Sequence, residues 1–198
     1  MYVEPMPLSA YPWYLKPLLW WQRRRQGVLP GPVRLWARRP RLFTPLTLLR
    51  NAFQRRAGAL EPDLRDLLAL RVGQINECAY TVDERAHSLR GRGMAWEKIR
   101  AIGDWSSSDA FTNREQAVLA YAEAMTRTET PVGADTVGAV KRHLDEDALI
   151  ELTGLVGFEN MTTKFNATLD VPPRGFCTMT VNARGEAVAW DVNRPTEA

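Results

Sequence analysis

The sequence predicts an all-α helical bundle with a small C-terminal β-hairpin. Apolar residues recur at helical spacing over most of the chain, and helix-start signals stand ahead of the strongest of these stretches. Alternation of period two is confined to the C-terminal end.

Residues 1–12 are proline-rich and read as extended. Trp13 to Gln26 reads as a short helix with Leu15, Leu18, Leu19 and Trp21 apolar, and Pro17 fits its first turn. Gly27 to Pro32 is a loop, and Val33 to Arg39 is a helical piece held between two prolines. Arg41 to Arg56 carries an apolar stripe at Leu42, Leu46, Leu49 and Phe53. Pro62 opens the next helix, whose stripe is Leu64, Leu67, Leu68, Val72 and Ile75. A helix through the cysteine segment ends near Gly91 or Gly93. Ala95 to Ile102 is a short helix and Ser106 to Asp109 a loop. Thr112-Asn113-Arg114-Glu115 has capping-box spacing and starts a helix through Met125. Asp135 to Leu144 is another. Asp145 starts the longest, through Leu169, with Ile150, Leu152, Leu155, Val156, Phe158, Met161 and Phe165 inside it. Thr178 to Val181, the turn Asn182-Ala183-Arg184-Gly185, and Glu186 to Trp190 form the hairpin. Such a ribbon must pack on something to persist.

The expected organisation is a basic, Trp/Pro-rich helical extension over residues 1–57, a core over 58–176 and a tail over 177–198. The chain has 198 residues with 45% hydrophobic content, enough for one sizeable core. No stretch approaches the roughly 18 apolar residues of a membrane span, so stable membrane insertion is not expected. No secretory signal is read at the N-terminus. Two cysteines, Cys78 and Cys177, do not make a disulfide scaffold, and the expected compartment is a reducing cytoplasm.

The net charge of +3 conceals an asymmetry: residues 1–56 carry eleven Lys/Arg and one acid, Glu4. Nucleic acid or an anionic membrane surface would suit such an arm. Interleaved apolar residues favour docking on the acidic body of its own chain or of a sister subunit, so no nucleic-acid partner is expected. Trp20 and Trp21 beside Arg23, Arg24 and Arg25 are read the same way. His87 and His143 have no metal-site spacing, so no metal is expected. No phosphate-binding glycine loop or dinucleotide fingerprint is present, and no cofactor is expected. The triplets Asn160-Met161-Thr162 and Asn166-Ala167-Thr168 match the glycosylation pattern but sit inside the longest helix.

The chemistry-bearing segment runs Gln74-Ile75-Asn76-Glu77-Cys78-Ala79-Tyr80-Thr81-Val82-Asp83-Glu84-Arg85-Ala86-His87. A redox pair would read Cys-x-x-Cys, one sulfur attacking and the other resolving. The second position is Thr81, whose hydroxyl cannot form a disulfide. Cys78 to Arg85 is seven residues, about two helical turns, so the two share a face. His87 lies about half a turn out of phase with Cys78 and is read as a surface or intersubunit histidine.

This segment and its flanks resemble the alkylhydroperoxidase D-like group of the carboxymuconolactone decarboxylase superfamily. Leu64 to Tyr80 is similar to the helix entering that group's active site, and Asn113 to Thr126 to its next long helix. Glu151 to Asn160, Lys164-Phe165-Asn166 and Leu169 to Cys177 are similar to its closing helix and tail. Pro12-Trp13-Tyr14-Leu15, Gln22-Arg23-Arg24, Trp36-Ala37-Arg38 and Pro40 to Phe43 are similar to the N-terminal extension of a peroxidase-related branch.

The resemblance implies a helical bundle assembling as a homo-oligomer (dimer, trimer or hexamer). It also implies cofactor-free chemistry in which a Glu and a His relay protons to the cysteine pair. Here the Glu position is Asp66, the second cysteine is Thr81 and the His position is Arg85. A guanidinium stays protonated, so it cannot pass a proton back and forth. Arg85 is left with three uses: stabilising a Cys78 thiolate, gripping an anionic substrate, or pairing with Asp66 to tie two helices. Cys78 itself is either reactive or a small buried hydrophobe.

Three functions stay open. The leading one is a single-cysteine peroxidase: Cys78 attacks a hydroperoxide, and an external thiol resolves it. The second is a redox-silent acid/base enzyme on a small anionic substrate, using Asp66, Tyr80 or Glu159 with Arg85. The third is a non-catalytic oligomeric binding protein. Glu77 and His87 complete the candidate pocket, and Cys177 is a distant candidate for a resolving thiol.

Overall fold

The computed structural model describes residues 1–55, 58–129, 131–181 and 187–192. Among them the helices are α1 (Lys16–Gln26), α2 (Gly31–Trp36), α3 (Pro40–Phe53), α4 (Pro62–Ile75) and α5 (Ala79–Gly91), then α6 (Trp96–Arg100), α7 (Asn113–Thr126), α8 (Ala134–Lys141) and α9 (Glu146–Thr168). Strands β1 (Cys177–Val181) and β2 (Ala187–Val192) pair antiparallel, with Cys177 opposite Val192 and an irregularity between Thr180 and Val181. The turn proposed at Asn182 to Gly185 lies outside the described residues. No described helix is long and apolar enough to cross a membrane.

Helix α4 is the centre of the bundle. Leu64, Leu68 and Val72, spaced by four, face a core shared with α7, α8 and α9. Leu67 and Leu70 face a second core, shared with Val82, Ala86 and Leu89 of α5. Leu67, Leu68 and Leu70 are fully buried, each stabilising the fold by about 1.5–3 kcal/mol. One stripe was expected of α4; it is buried on two sides, because helices pack on both.

The expected capping box is present: Thr112 accepts from the Glu115 backbone while Glu115 caps back. Asp145 caps α9 by accepting from Ala148 N–H. The buried Asp83 carboxylate accepts from the backbone N–H groups of Arg174, Gly175 and Cys177, which fastens the tail to α5.

Several expectations need correction. The α3 stripe is rotated: Leu42 and Leu49 are exposed, whereas Phe43 is buried. Leu46 and Phe53 of the expected stripe do face inward, and Phe43, Thr47 and Arg50 complete the inner face, because part of it borders a cavity and tolerates polar groups. Ile150 and Met161 of α9 are exposed, since that helix runs along one side of the bundle. Trp13 and Trp21 are exposed too, and α1 buries Leu19 and Gln22. The helix read over Ala95 to Ile102 becomes α6 followed by a 3-10 segment to Ser107. It is kinked at Asp104 and pinned by Trp105 Nε1 donating to Glu123. The first twelve residues hold a 3-10 turn at Leu8–Ala10, and the Tyr11 hydroxyl donates to Arg34 O.

The basic extension docks on its own chain. Trp36 stacks on Phe165 at 3.9 Å, Tyr2 N–H donates to Leu169 O, and the terminal ammonium pairs with Asp170. Leu35 joins Cys78, Tyr80 and Val171 in a small apolar cluster.

The α4–α5 turn stores strain at Glu77, a non-glycine residue with φ 52°. Its side chain is exposed, so the backbone alone sets the effect of substitution. Glu77→Gly is expected to stabilise by about 0.5–1 kcal/mol and Glu77→Val to destabilise by about 1 kcal/mol in urea titrations.

Candidate active site

Cys78 occupies the cap position of α5, directly after the strained turn. Its N–H donates to Gly73 O at 2.8 Å. A side chain at Gly73 would press on Thr81, at 3.2 Å from the ideal Cβ, so the close α4–α5 approach depends on glycine there. Asn76 ties the turn to α9 by donating to Asn160 Oδ1 and Thr163 Oγ1. The Cys78 thiol is 1% exposed and donates to Thr81 Oγ1 at 3.2 Å. Burial pushes the thiol above its ordinary pKa. The contacts to Thr81 and Asn166 pull the other way without reversing the shift, and the Glu159 charge adds to it.

Arg85 is engaged by two carboxylates. Its Nη1 pairs with Asp66 Oδ1 at 2.7 Å and its Nη2 with Glu159 Oε1 at 2.9 Å, joining α4, α5 and α9. The other Asp66 oxygen accepts from Ser88 and from Arg92, both at 2.7 Å. Burial works to raise Asp66, but Arg85, Arg92 and Ser88 together outweigh it and hold the carboxyl below its ordinary value. Glu159 goes the other way: burial raises its carboxyl more than Arg85 lowers it. Burial would lower Arg85, yet Glu159 and Asp66 more than compensate, and its charge is permanent.

A cavity of about 280 Å³ lies above this network, between α2, α3, α5 and α9. Trp36, Phe43, Leu46 and Phe158 supply apolar wall; Arg50, Thr81, Arg85 and Asn166 supply polar groups. A second opening of about 620 Å³ adjoins it, sharing Arg50, Gln54, Arg85, Ser88, Phe158 and Glu159 and adding Asp66 and Arg92. Gly154 lets Phe53 approach α9 closely, at 3.2 Å from an ideal Cβ. Phe53 then packs on Phe158 with ring centroids 5.6 Å apart.

The structure brings Tyr80, Thr81, Arg85 and Glu159 to the first cavity and Asp66 to the second, with Cys78 immediately behind Thr81. Tyr80 is held above its ordinary pKa by burial, as expected of a phenol that stays neutral. Glu77 is exposed on the turn and does not line either cavity. His87 is exposed on the opposite side of α5, stacked on Phe176 at 3.9 Å. Cys177 lies in a different apolar cluster from Cys78, and burial pushes its thiol up to about 11. Among the described residues no group of acids, histidines and cysteines has a metal-binding arrangement. Arg50 was missed by the sequence reading. The spacing Phe43, Leu46, Arg50, Phe53 is as helical as the leucine stripe chosen instead, and only packing distinguishes them.

The model of the carboxymuconolactone decarboxylase family matches residues 40–124. Protein YnjA of Escherichia coli (strain K12) is 33% identical over 171 residues, covering 86% of this chain and 94% of its own. The fold is similar to that of an alkylhydroperoxidase AhpD core, a peroxidase-related protein from Ralstonia eutropha JMP134. Its TM-score is 0.75 at 18% identity, over 87% of this chain and 92% of that one. The debrominase Bmp8 is similar as well, with TM-score 0.74 and 20% identity over 86% of this chain and 90% of its own. A cysteine-to-alanine form of Bmp8 in complex with 2,3,4-tribromopyrrole gives the same TM-score.

Removing one carboxylate from the charge network tests its structural weight. Asp66→Asn is expected to cost about 3 kcal/mol, because Arg85 keeps Glu159 alone. The Asp66 carboxyl is lower in the folded than in the unfolded chain, so its contribution is full above about pH 4 and is lost as pH falls through the folded value. The variant's stability should therefore fall less steeply below pH 4 than the wild type's, as measured by urea unfolding across pH.

Proposed function

Because the chain belongs to the carboxymuconolactone decarboxylase family, we propose that it is a thiol-dependent enzyme reducing a small molecule held between α2, α3, α5 and α9. Hydroperoxides are the proposed substrate class and Cys78 the single redox residue. The observation that carries this reading is the position of Cys78: its thiol touches Thr81, and Thr81 forms cavity wall. The cysteine-to-alanine form of Bmp8 bound to 2,3,4-tribromopyrrole lends support, as a related fold in complex with a small ring.

In the proposed reaction the Cys78 thiolate attacks the terminal oxygen of the hydroperoxide. An S–O bond forms, the O–O bond breaks, and the departing alkoxide takes a proton to leave as the alcohol. Cys78 becomes a sulfenic acid. Thr81 cannot resolve it, and Cys177 sits in another cluster. An external thiol therefore displaces water to give a mixed disulfide, and a second thiol releases Cys78 and carries away the disulfide. A reducing compartment such as the cytoplasm would supply that thiol. The resting thiol is protonated, so turnover depends on deprotonation, and Glu159 is the nearby carboxyl with a raised pKa. The exposed leucines Leu42, Leu48 and Leu49 on α3 support assembly as a homo-oligomer.

Glu159 also favours a second reading, an acid/base enzyme on a small anion. It is deeply buried, borders both cavities and has its carboxyl raised above the ordinary value, the direction expected of a general acid. Replacing Cys78 by serine separates the two. Under the thiol reading, cumene hydroperoxide converts wild-type Cys78 to the sulfenic acid or its mixed disulfide, read by intact mass. Turnover with dithiothreitol then vanishes in Cys78→Ser and rises with pH through the alkaline range. Turnover that persists in Cys78→Ser but is lost in Glu159→Gln would overturn the thiol reading in favour of the second.

A further inference from the structure

Arg50 lines the cavity and is left unused by the proposed reaction. It projects from the inner face of α3, and its Nε is fully buried with no hydrogen-bond partner. Arg50 is partly buried, and no ion pair of it is found among the described residues, although guanidinium groups turned inward ordinarily have an acidic partner. Burial and the nearby charge of Arg85 lower its pKa, against a smaller opposing effect of Tyr80. The neighbouring acids are already taken: Glu159 and Asp66 by Arg85, and Glu84 by Arg174. Arg65, beside the second opening, donates through Nη1 to the Phe53 and Arg55 carbonyls and brings no negative charge. Trp36, Phe43, Leu46 and Phe158 form the apolar part of the wall, beside the hydroxyl and amide groups of Thr47, Thr162 and Asn166.

We propose that Arg50 is the anion-holding residue of this cavity, and that its ligand is a small carboxylate with an apolar, flat body. The guanidinium fork matches a carboxylate with two parallel hydrogen bonds, and the aromatic wall takes the body. At about 280 Å³ the space is at the small end of ligand cavities, which suits a single ring rather than a dinucleotide or a long chain. Arg85 reinforces the field but cannot replace Arg50, since both its terminal nitrogens, Nη1 and Nη2, already face carboxylates. The assignment differs from the sequence expectation, which had anion binding as one of three uses open to Arg85. It rests on the reading of this cavity as the substrate site. Combined with the thiol reaction, it makes the substrate a hydroperoxide bearing a carboxylate.

Calorimetric titration with benzoate and with neutral, isosteric benzamide tests the assignment independently of turnover. Benzoate is expected to bind saturably and benzamide about tenfold or more weakly. Arg50→Gln and Arg50→Leu should each weaken benzoate about tenfold or more, Arg50→Lys should retain part of the affinity, and Cys78→Ser should leave it unchanged. Equal binding of benzoate and benzamide, no saturable binding of benzoate, or undiminished benzoate affinity in Arg50→Leu would each overturn it. So would an Arg50→Leu variant that changes only the sedimentation coefficient, because Arg50 would then serve a second copy of the chain. Cys78 that resists hydroperoxide while benzoate binding stays Arg50-dependent removes the thiol reading and leaves this assignment standing.

Discussion

A guanidinium enclosed by three helices has to be neutralised, and that requirement at Arg85 organises the rest of this molecule. Asp66 from α4 and Glu159 from α9 meet it, so one side chain on α5 ties the central helix to the closing one. Such a unit stands only while all its members are present, since each charge left unpaired in a low-dielectric interior is costly. The same two contacts explain why the carboxyls diverge. Asp66 gains further donors from Ser88 and Arg92 and is held ionised, whereas at Glu159 burial and the charge of Asp66 outweigh Arg85.

Closing the charge unit has a chemical consequence. In a thiol site, a lone cation near a helix start lowers the cysteine pKa. Here the cation is spent, the sulfur is buried, and the nearest charge acting on it is the negative one of Glu159. Cys78 is therefore a protonated donor to Thr81 at rest. The unspent positive charge sits across the cavity on α3, so the N-terminal extension supplies both the apolar roof and Arg50. Chain that reads as a basic appendage becomes wall of the site.

Much of this was legible because it depends on local chemistry. Pro62, the Thr112–Glu115 box and the Asp145 cap start helices through backbone groups a few residues away, and α4, α7 and α9 begin where those signals stand. The half-turn offset that turns His87 away from Cys78 follows from helical pitch alone. The Asp66–Arg85 pair was one of three uses open to Arg85, and the structure selects it while adding Glu159. What was not legible depends on which face meets a neighbour. On α3 the leucines are a stronger apolar signal than Phe43, Leu46 and Arg50, yet the weaker face points inward because it borders a space rather than a packed core. The 3-10 segment after α6 is likewise held by a distant partner, Glu123, that periodicity cannot reveal.

The claim that Arg85 is fully committed to its two carboxylates is tested most directly by titrating the Cys78 thiol. Thiolate absorbance in the ultraviolet, recorded across pH in a Cys177→Ser background with the signal of the Cys78→Ser/Cys177→Ser double variant subtracted, reads this sulfur alone. The account predicts a midpoint above the ordinary thiol value, near 8.5 for a free cysteine, because burial dominates and no free cation is at hand. A midpoint well below that value would contradict it, by showing that Arg85 or the start of α5 stabilises the thiolate after all.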